Sequence, residues 1–426
     1  MYYRMHHQKL HARRGAAYLV ALLAGMIVSV TGLAALSVAT TRARTAESGD
    51  QFASARLNAN TAMQHALAAV SAHLSNGGTR DDIPNAEPTV LITEGSARWR
   101  LREIDGSALD AEDGPIVIEA RGDSGAAVFA LDALLVPSGV PIDALDTALY
   151  VDGNLNVSAL ADLVADHVVF AGGDLGSSGS IDADVEAGGR ITGSGYAGSV
   201  TEDAPSRLKP TPGLIEEYAV IGTRINLTSL PIVFGARSLS SVLLSKNSNP
   251  FGSPDPLGIY VIDCGGESIA INSLRIEGTL VLLNTGPSTT IAGGTLMSPA
   301  HPWLPTLLVD GDINFMGSNT GPSESVVGAN LNPASTPWQF EHDTDTDDVY
   351  PGRIEGVSYV DGDMTVSVVR QNFKGAVLVE GDLRVLLGAD LHIEYDPTVA
   401  HLTPLGFFLD EGGLAVDPAT VAWTLP

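Results

Sequence analysis

The sequence predicts a mainly β protein led by one long N-terminal helix, and three stretches carry that expectation. From Ala16 to Thr41 run 26 residues without a charge, and a helical apolar spacing then continues to Leu74. Between Ser96 and Val136 short apolar runs alternate with polar residues around a glycine turn. From Leu149 onward a near-identical octet recurs, "YVDGNLNV" at Tyr150, "LVDGDINF" at Leu308, "YVDGDMTV" at Tyr359 and "LVEGDLRV" at Leu378.

The uncharged run is longer than the 7–15 apolar residues typical of a cleavable secretory signal, and as a helix it spans the roughly 30 Å core of a bilayer. Arg4, Lys9, Arg13 and Arg14 precede it, while Arg42 and Arg44 follow. That bias keeps a basic leader, residues 1–15, in the cytoplasm and exports the remainder. The expectation is a single-pass inner-membrane protein with a transmembrane helix at 16–41 and its bulk periplasmic or at the cell surface. A discarded signal peptide, cut among the small residues of "SVATTRA", and a plain signal anchor are the alternatives.

Beyond Arg44, residues Phe52, Ala55, Ala59, Met63, Leu67, Val70 and Leu74 fall three or four apart, which places them on one helix face. Asn76-Gly77-Gly78 stops that helix. In "SARWRLREI", Ala97, Trp99 and Leu101 alternate with Arg98, Arg100 and Arg102, the period of a strand with one buried face. "PIVIEA" and "AAVFALDALLV" follow, joined by "RGDSG". The strings RGD and GDSG read here as hairpin chemistry rather than as an integrin ligand or a protease loop. Residues 42–140 are therefore expected to lay an amphipathic helix on a small antiparallel sheet.

Basic residues, then Gly15, then an apolar helix that runs on into an amphipathic one resemble the N-terminus of type IV prepilins. The resemblance covers about the first 75 residues and implies a prepilin peptidase that cuts between Gly15 and Ala16. It also implies other pilin-like subunits as partners through the N-terminal helix. Val20 stands where most pilins carry a glutamate. In this the chain is similar to minor pilins of the PilX type and to the K-type pseudopilin of type II secretion, which lack or do not require that acid.

Residues 141–426 are expected to form a parallel β-helix. Looser copies of the octet start at Phe170 ("FAGGDLG") and Glu186 ("EAGGRIT"), and neighbouring copies lie 20, 16 and 19 residues apart. One rung per roughly 20 residues is the period of stacked coils, each on the one before. Gly356 and Gly375, again 19 apart, precede the last two copies. Prolines in "APSRLKPTPG" and "NSNPFGSPDPLG" break the pattern, so residues 201–258 are read as an excursion from the stack. The closing residues are read as a cap over its open end.

Residues 1–44 hold six of the 23 Lys and Arg and no acid, so the remainder sets 17 basic against 50 acidic residues. That surface repels phosphate backbones, and no nucleic-acid partner is expected. With 44% hydrophobic residues the chain is folded rather than an acidic tail. Cys264 is the only cysteine, which excludes an intramolecular disulfide and reads as core packing.

The sharpest polar cluster is "EHDTDTDDVYPG". Asp343, Asp345, Asp347 and Asp348 offer hard oxygens to a calcium ion, beside Glu341 and His342. Asp348 and Ile354 stand where an EF-hand needs its glycine and bidentate glutamate, so the loop is not an EF-hand; a solvated acidic loop is the alternative. No other cofactor is implied.

Some β-helix proteins cleave polysaccharides. Among the few cations of the repeat region (Arg275, Arg353, Arg370, Arg384, Lys246 and Lys374), Arg370 and Lys374 form one basic spot between DG turns. Asp361 and Asp363 recur in other copies as turn residues, so they read as turn-formers rather than a catalytic pair. No enzymatic activity is expected. The function read from the sequence is a membrane-anchored subunit of a type IV pilus-like or type II secretion-like assembly that initiates, caps or decorates a filament. The alternative is an anchored surface protein that binds or cleaves an envelope polysaccharide.

Overall fold

The computed structural model describes residues 37, 40–42, 44–73, 83, 89–90, 95–103, 116–233, 235–317, 320–367, 370–409, 413–416 and 422–424. The protein is mainly β, with parallel sheets and one long helix near its N-terminus. The chain divides into two compact units, one of Met1–Val136 with Val416–Pro426 and one of Pro137–Ala415. Among the described residues no helix is long and apolar enough to cross a membrane; the run at 16–41 lies almost wholly outside them.

In the first unit the helix covers 44–73. Ala55, Ala59, Ala62, Met63, Ala66 and Val70 are buried along it, most of the face that the spacing predicts, while Leu67 is half-buried and Phe52 is 41% exposed. The sheet beneath is antiparallel. Ser96–Glu103 pairs with Ile116–Ser124, which turns through Gly125 and Ala126 into Ala127–Ser138. Ala97, Trp99 and Leu101 are buried, whereas Arg98 pairs with Asp123 and both Arg100 and Arg102 pair with Glu119.

Helix and sheet meet closely. A Cβ at Gly122 would lie 2.1 Å from the Ala55 carbonyl oxygen, so only glycine fits there. Trp99 Nε1 donates to His65 Nδ1 at 3.1 Å, and the rings of Phe52 and Phe129 meet edge-on at 5.5 Å. RGD thus lies within a strand and not at a loop tip. The last strand, Ala422–Thr424, pairs with Ala127–Ser138 instead of remaining with residues 141–415, where the sequence places it as a cap. An edge strand presents unpaired backbone groups, and a returning segment satisfies them.

The second unit is a stack of coils with three faces. On the first face lie Leu149–Val151, Val169–Ala171 and Val185–Ala187. After the DG turn, Leu155–Val157 and Leu175–Ser177 build the second. Asp162–Ala165 and Ser180–Asp182 build the third. Successive coils pair in parallel, and Gly381 N donates to the Gly362 carbonyl at 3.0 Å, as stacked turns should. Arg353–Val360 and Gln371–Val379 run around the corner from third face to first. Gly356 and Gly375 occupy that corner at φ +91° and +137°, which explains the shared glycine.

The order of the coils differs from the order of the sequence. Leu149 pairs with Val169 on one side and with Val377 on the other. The chain joins the stack in its middle and climbs to Val200–Thr201. It then crosses the outside through 202–222 and resumes at the opposite end with Thr223–Arg224, which pairs with Tyr260–Val261. From there it climbs to Asp390–Glu394, which pairs with Asp162–Ala165 near its starting point.

The expected excursion at 201–258 is therefore shorter. Ala236–Ser240 and Leu243–Ser245 already belong to a coil, and Ile232–Val233 lies antiparallel along its edge. The prolines that signalled a break, Pro205, Pro210, Pro212, Pro250, Pro254 and Pro256, sit in the crossing strap and in the loop that follows that first coil.

The strap explains why first-face strands read as unbroken apolar runs. Leu149 and Val151 point inward to the core, while Tyr150, Phe170, Leu308, Tyr359 and Leu378 point outward and are buried as well. Parallel strands covered on both faces lose the polar alternation. Arg207 of the strap lies over Phe170, 5.4 Å from the ring centroid, and Phe407 meets Tyr359 edge-on. The strap helix Leu214–Ile221 is tied down by Tyr218 Oη, which donates to the Leu405 carbonyl at 3.1 Å. Cys264 packs in the core, and burial pushes its thiol up to about 12, so it is no nucleophile at neutral pH.

Candidate metal centre

A second insertion, residues 317–352, leaves the stack between Ile313–Met316 and Arg353–Val360. It forms a small antiparallel pair, Thr320–Ser323 with Val349–Pro351, and a helical turn at Glu324–Val327. Leu331, Tyr350, Val327 and Trp338 from the insertion pack on Leu243 and Leu296 of the third face. Between those leucines stands Arg275, only 1% exposed.

The Arg275 guanidinium donates to the carbonyls of Leu331, Thr336 and Pro337, and to Glu277 Oε2 at 2.7 Å. Its planar fork matches several acceptors at once, which a lysine cannot do. The ring of Trp338 lies 5.3 Å from it. Ser245 Oγ and Thr336 Oγ1, 2.8 Å apart, add a further tie.

Within the insertion thus held, Glu324, Asp343 and Asp348 each bring a carboxylate oxygen within 4.8 Å of the others. Glu324 is fully buried. Its Oε1 accepts from Leu331 N and from Tyr350 Oη at 2.8 Å, and its Oε2 has no hydrogen-bond partner among the described residues. Asn332 Nδ2 donates to Asp348 Oδ2 at 2.9 Å, which leaves the buried Asn332 Oδ1 unpartnered beside it. Asn330 Nδ2 donates to the Asp343 carbonyl, and Glu324 N donates to the Asp348 carbonyl. Burial first, then the charges of Asp343 and Glu324, push the Asp348 carboxyl up. The set is all oxygen, the chemistry of a hard cation rather than of zinc or copper.

Of the four aspartates singled out in the sequence, the fold gathers Asp343 and Asp348. Asp345 and Asp347 remain outside on the exposed loop, where Asp347 N donates to Asp345 Oδ1 at 3.4 Å. The hydrogen bond and then the charge of Asp345 push the Asp347 carboxyl up. Glu324 and Asn332 were not legible in the sequence. Glu324 is the one acid between Asp312 and Glu341, and nothing in "GPSESVVG" says that its side chain turns inward.

The basic spot expected at Arg370 and Lys374 is neutralised, by Asp390 at 2.6 Å and Glu394 at 3.7 Å. Asp363 has a turn role: its N donates to Asp312 Oδ1 and its own Oδ1 accepts from Asp382 N, both at 2.9 Å. Gly15 and Ala16 lie outside the described residues.

No family model matches the chain, and the search of curated proteins finds no match. Among solved structures, the competence-associated pilin ComZ from Thermus thermophilus is similar at a TM-score of 0.29 and 11% identity, over 88% of this chain and 97% of that one.

Proposed function

We propose that the chain is a membrane-anchored, exported subunit of a type IV pilus-like or type II secretion-like assembly, carrying a parallel β-helix as its head. Its role is to initiate, cap or decorate a filament. The observation that carries this reading is the helix at 44–73. It lays a small-residue face on an antiparallel sheet and in sequence follows closely on the apolar run after Gly15, so one helix would serve both as anchor and as folded base. Other pilin-like subunits would meet the apolar run, and prepilin peptidase would act at Gly15.

The head presents its second face. Segments cover the first face and, around Arg275, part of the third, whereas Asn156, Thr192 and Arg384 of the second stand exposed. We assign adhesion or polymer contact, with a polysaccharide as the fitting chemistry, to that face.

The test is the amino terminus of the mature protein, read by mass spectrometry. A terminus at Ala16, lost in Gly15→Val with accumulation of a precursor fifteen residues longer, supports the reading. A terminus near Thr41 to Thr45 means a discarded signal peptide, and an intact Met1 means a plain anchor; either overturns it.

A further inference from the structure

We propose that Glu324, Asp343, Asp348 and the Asn332 side-chain oxygen form a calcium site that locks the 317–352 insertion onto the third face of the stack. Three observations lead there. The carboxylates of Glu324, Asp343 and Asp348 converge within 4.8 Å. Calcium binds oxygens at about 2.3–2.6 Å, so ligands across one ion lie no more than about 5 Å apart. The cluster has the span of one coordination sphere.

The second observation is the pair of orphaned acceptors. Glu324 is fully buried and Asn332 is 3% exposed, yet Glu324 Oε2 and Asn332 Oδ1 have no donor among the described residues. Buried acceptors left unpaired are costly. A divalent cation satisfies both at once. The third is the disposition of the nearest buried cation. The charge of Arg275 reaches Glu324 through space, yet its hydrogen bonds go to three carbonyls and Glu277, and none to Glu324.

Calcium suits the site better than magnesium. Magnesium demands near-ideal octahedral geometry, whereas calcium accepts six to eight oxygens in irregular array. The remaining positions would fall to water from the exposed side, where Asp343 and Asp348 are half-buried. The site differs from the linear aspartate motif: its buried anchor, Glu324, precedes Asp343 by nineteen residues, and Asp345 and Asp347 take no part.

The experiment uses terbium, a calcium surrogate excited through nearby aromatic rings, on the purified full-length chain. Tyr350 Oη lies 2.8 Å from Glu324 Oε1, so bound terbium should luminesce on excitation of the protein. The expected result is one ion per chain, displaced by calcium and not by equimolar magnesium, with a calcium-dependent rise in Tm. Glu324→Gln keeps an acceptor for Leu331 N and Tyr350 Oη, and should weaken binding by more than about tenfold. Asp345→Asn should bind like the parent. Absence of stoichiometric binding, or loss in Asp345→Asn with retention in Glu324→Gln, overturns the proposal. Should Glu324→Gln unfold the chain, Asp348→Asn supplies the same reading from the rim.

Discussion

Asn154 N donates to Asp382 Oδ1 at 2.8 Å, and Asn154 Nδ2 reaches the same oxygen at 3.0 Å, joining residues 228 apart in sequence. The bond is one step of a ladder. Asp312 accepts from Asp363 N, Asp363 from Asp382 N, Asp382 from Asn154 N, Asn154 from Asp174 N, and Asp174 from Arg190 N. Each acceptor is the third residue of a (D/E)G(D/N) or GGD turn. The middle glycine is needed because the coil before leaves no room: a Cβ at Gly153 would lie 2.6 Å from the Gly381 carbonyl oxygen. The ladder passes without change across the seam where the last coils meet the first.

That seam can be trapped covalently. Asn156 and Arg384 are register partners on the exposed second face, and neighbouring strands stand about 4.8 Å apart, inside the Cα window for a disulfide. Asn156→Cys with Arg384→Cys should oxidise to an intramolecular crosslink, read by peptide mass spectrometry. Thr192→Cys with Arg384→Cys should not, since two strands intervene. The buried Cys264 is a bystander. Failure of the first pair would mean that the coils stack in sequence order, which sets Asn156 and Arg384 far apart, and crosslinking of the second would overturn the strand order on this face.

The same seam should weaken in acid. The Asp382 carboxyl is held below its ordinary 3.8 by the hydrogen bond from Asn154 N first, then by the Asn154 side chain and Arg384. A depressed folded-state value stabilises the fold above the unfolded value and is lost as pH falls through the folded one. Urea midpoints should therefore drop below about pH 4. Asp382→Asn retains the accepting oxygen, as Asn154 does one coil on, so it should flatten part of that drop and change neutral-pH stability little. A parent and variant with parallel acid profiles would remove Asp382 as the cause.

Much of this architecture was legible because it repeats. The parallel strands, the roughly 20-residue period and the glycine corners follow from the octets. The buried helix face follows from the spacing of Ala55, Ala59, Met63 and Val70. The coil order was not legible, and the reason is the repetition itself. Tyr150, Phe170, Tyr359 and Leu378 fill the same outward position, so any coil edge accepts any other, and nothing local distinguishes the partner of Leu149. Only the strap decides, since its length from 202 to 222 carries the chain from one end to the other. The candidate metal centre was half legible: the acidic run announced Asp343 and Asp348, while Glu324 joins them, with Asn332 bonded to Asp348, through folding of an insertion anchored by Arg275.

Lys209 is where strap and seam meet, and it offers the sharpest test of how the strap is held. Asp152 and Glu380 occupy the same turn position on adjoining coils, so two carboxylates stack. Lys209 Nζ reaches Asp152 at 3.0 Å and Glu380 at 2.9 Å. Tyr150 Oη and Tyr359 Oη donate to those acids from below. The hydrogen bonds to Glu380, then to Asp152, raise the Lys209 pKa above its ordinary 10.5. A raised lysine stabilises the fold below the unfolded value and loses that effect only as pH rises through the folded one, so the bridge operates across the neutral range. Lysine and acids are partly exposed, which limits the gain to about 1 kcal/mol. Lys209→Met should cost about that much at pH 7 and low salt, and the cost should shrink in about 0.5 M salt, because the remaining repulsion is screened. Glu380→Gln in the Lys209→Met background should recover part of the loss by removing one of the two facing charges. A Lys209→Met chain with unchanged, salt-independent stability would mean that apolar cover from the strap, and not this bridge, closes the seam.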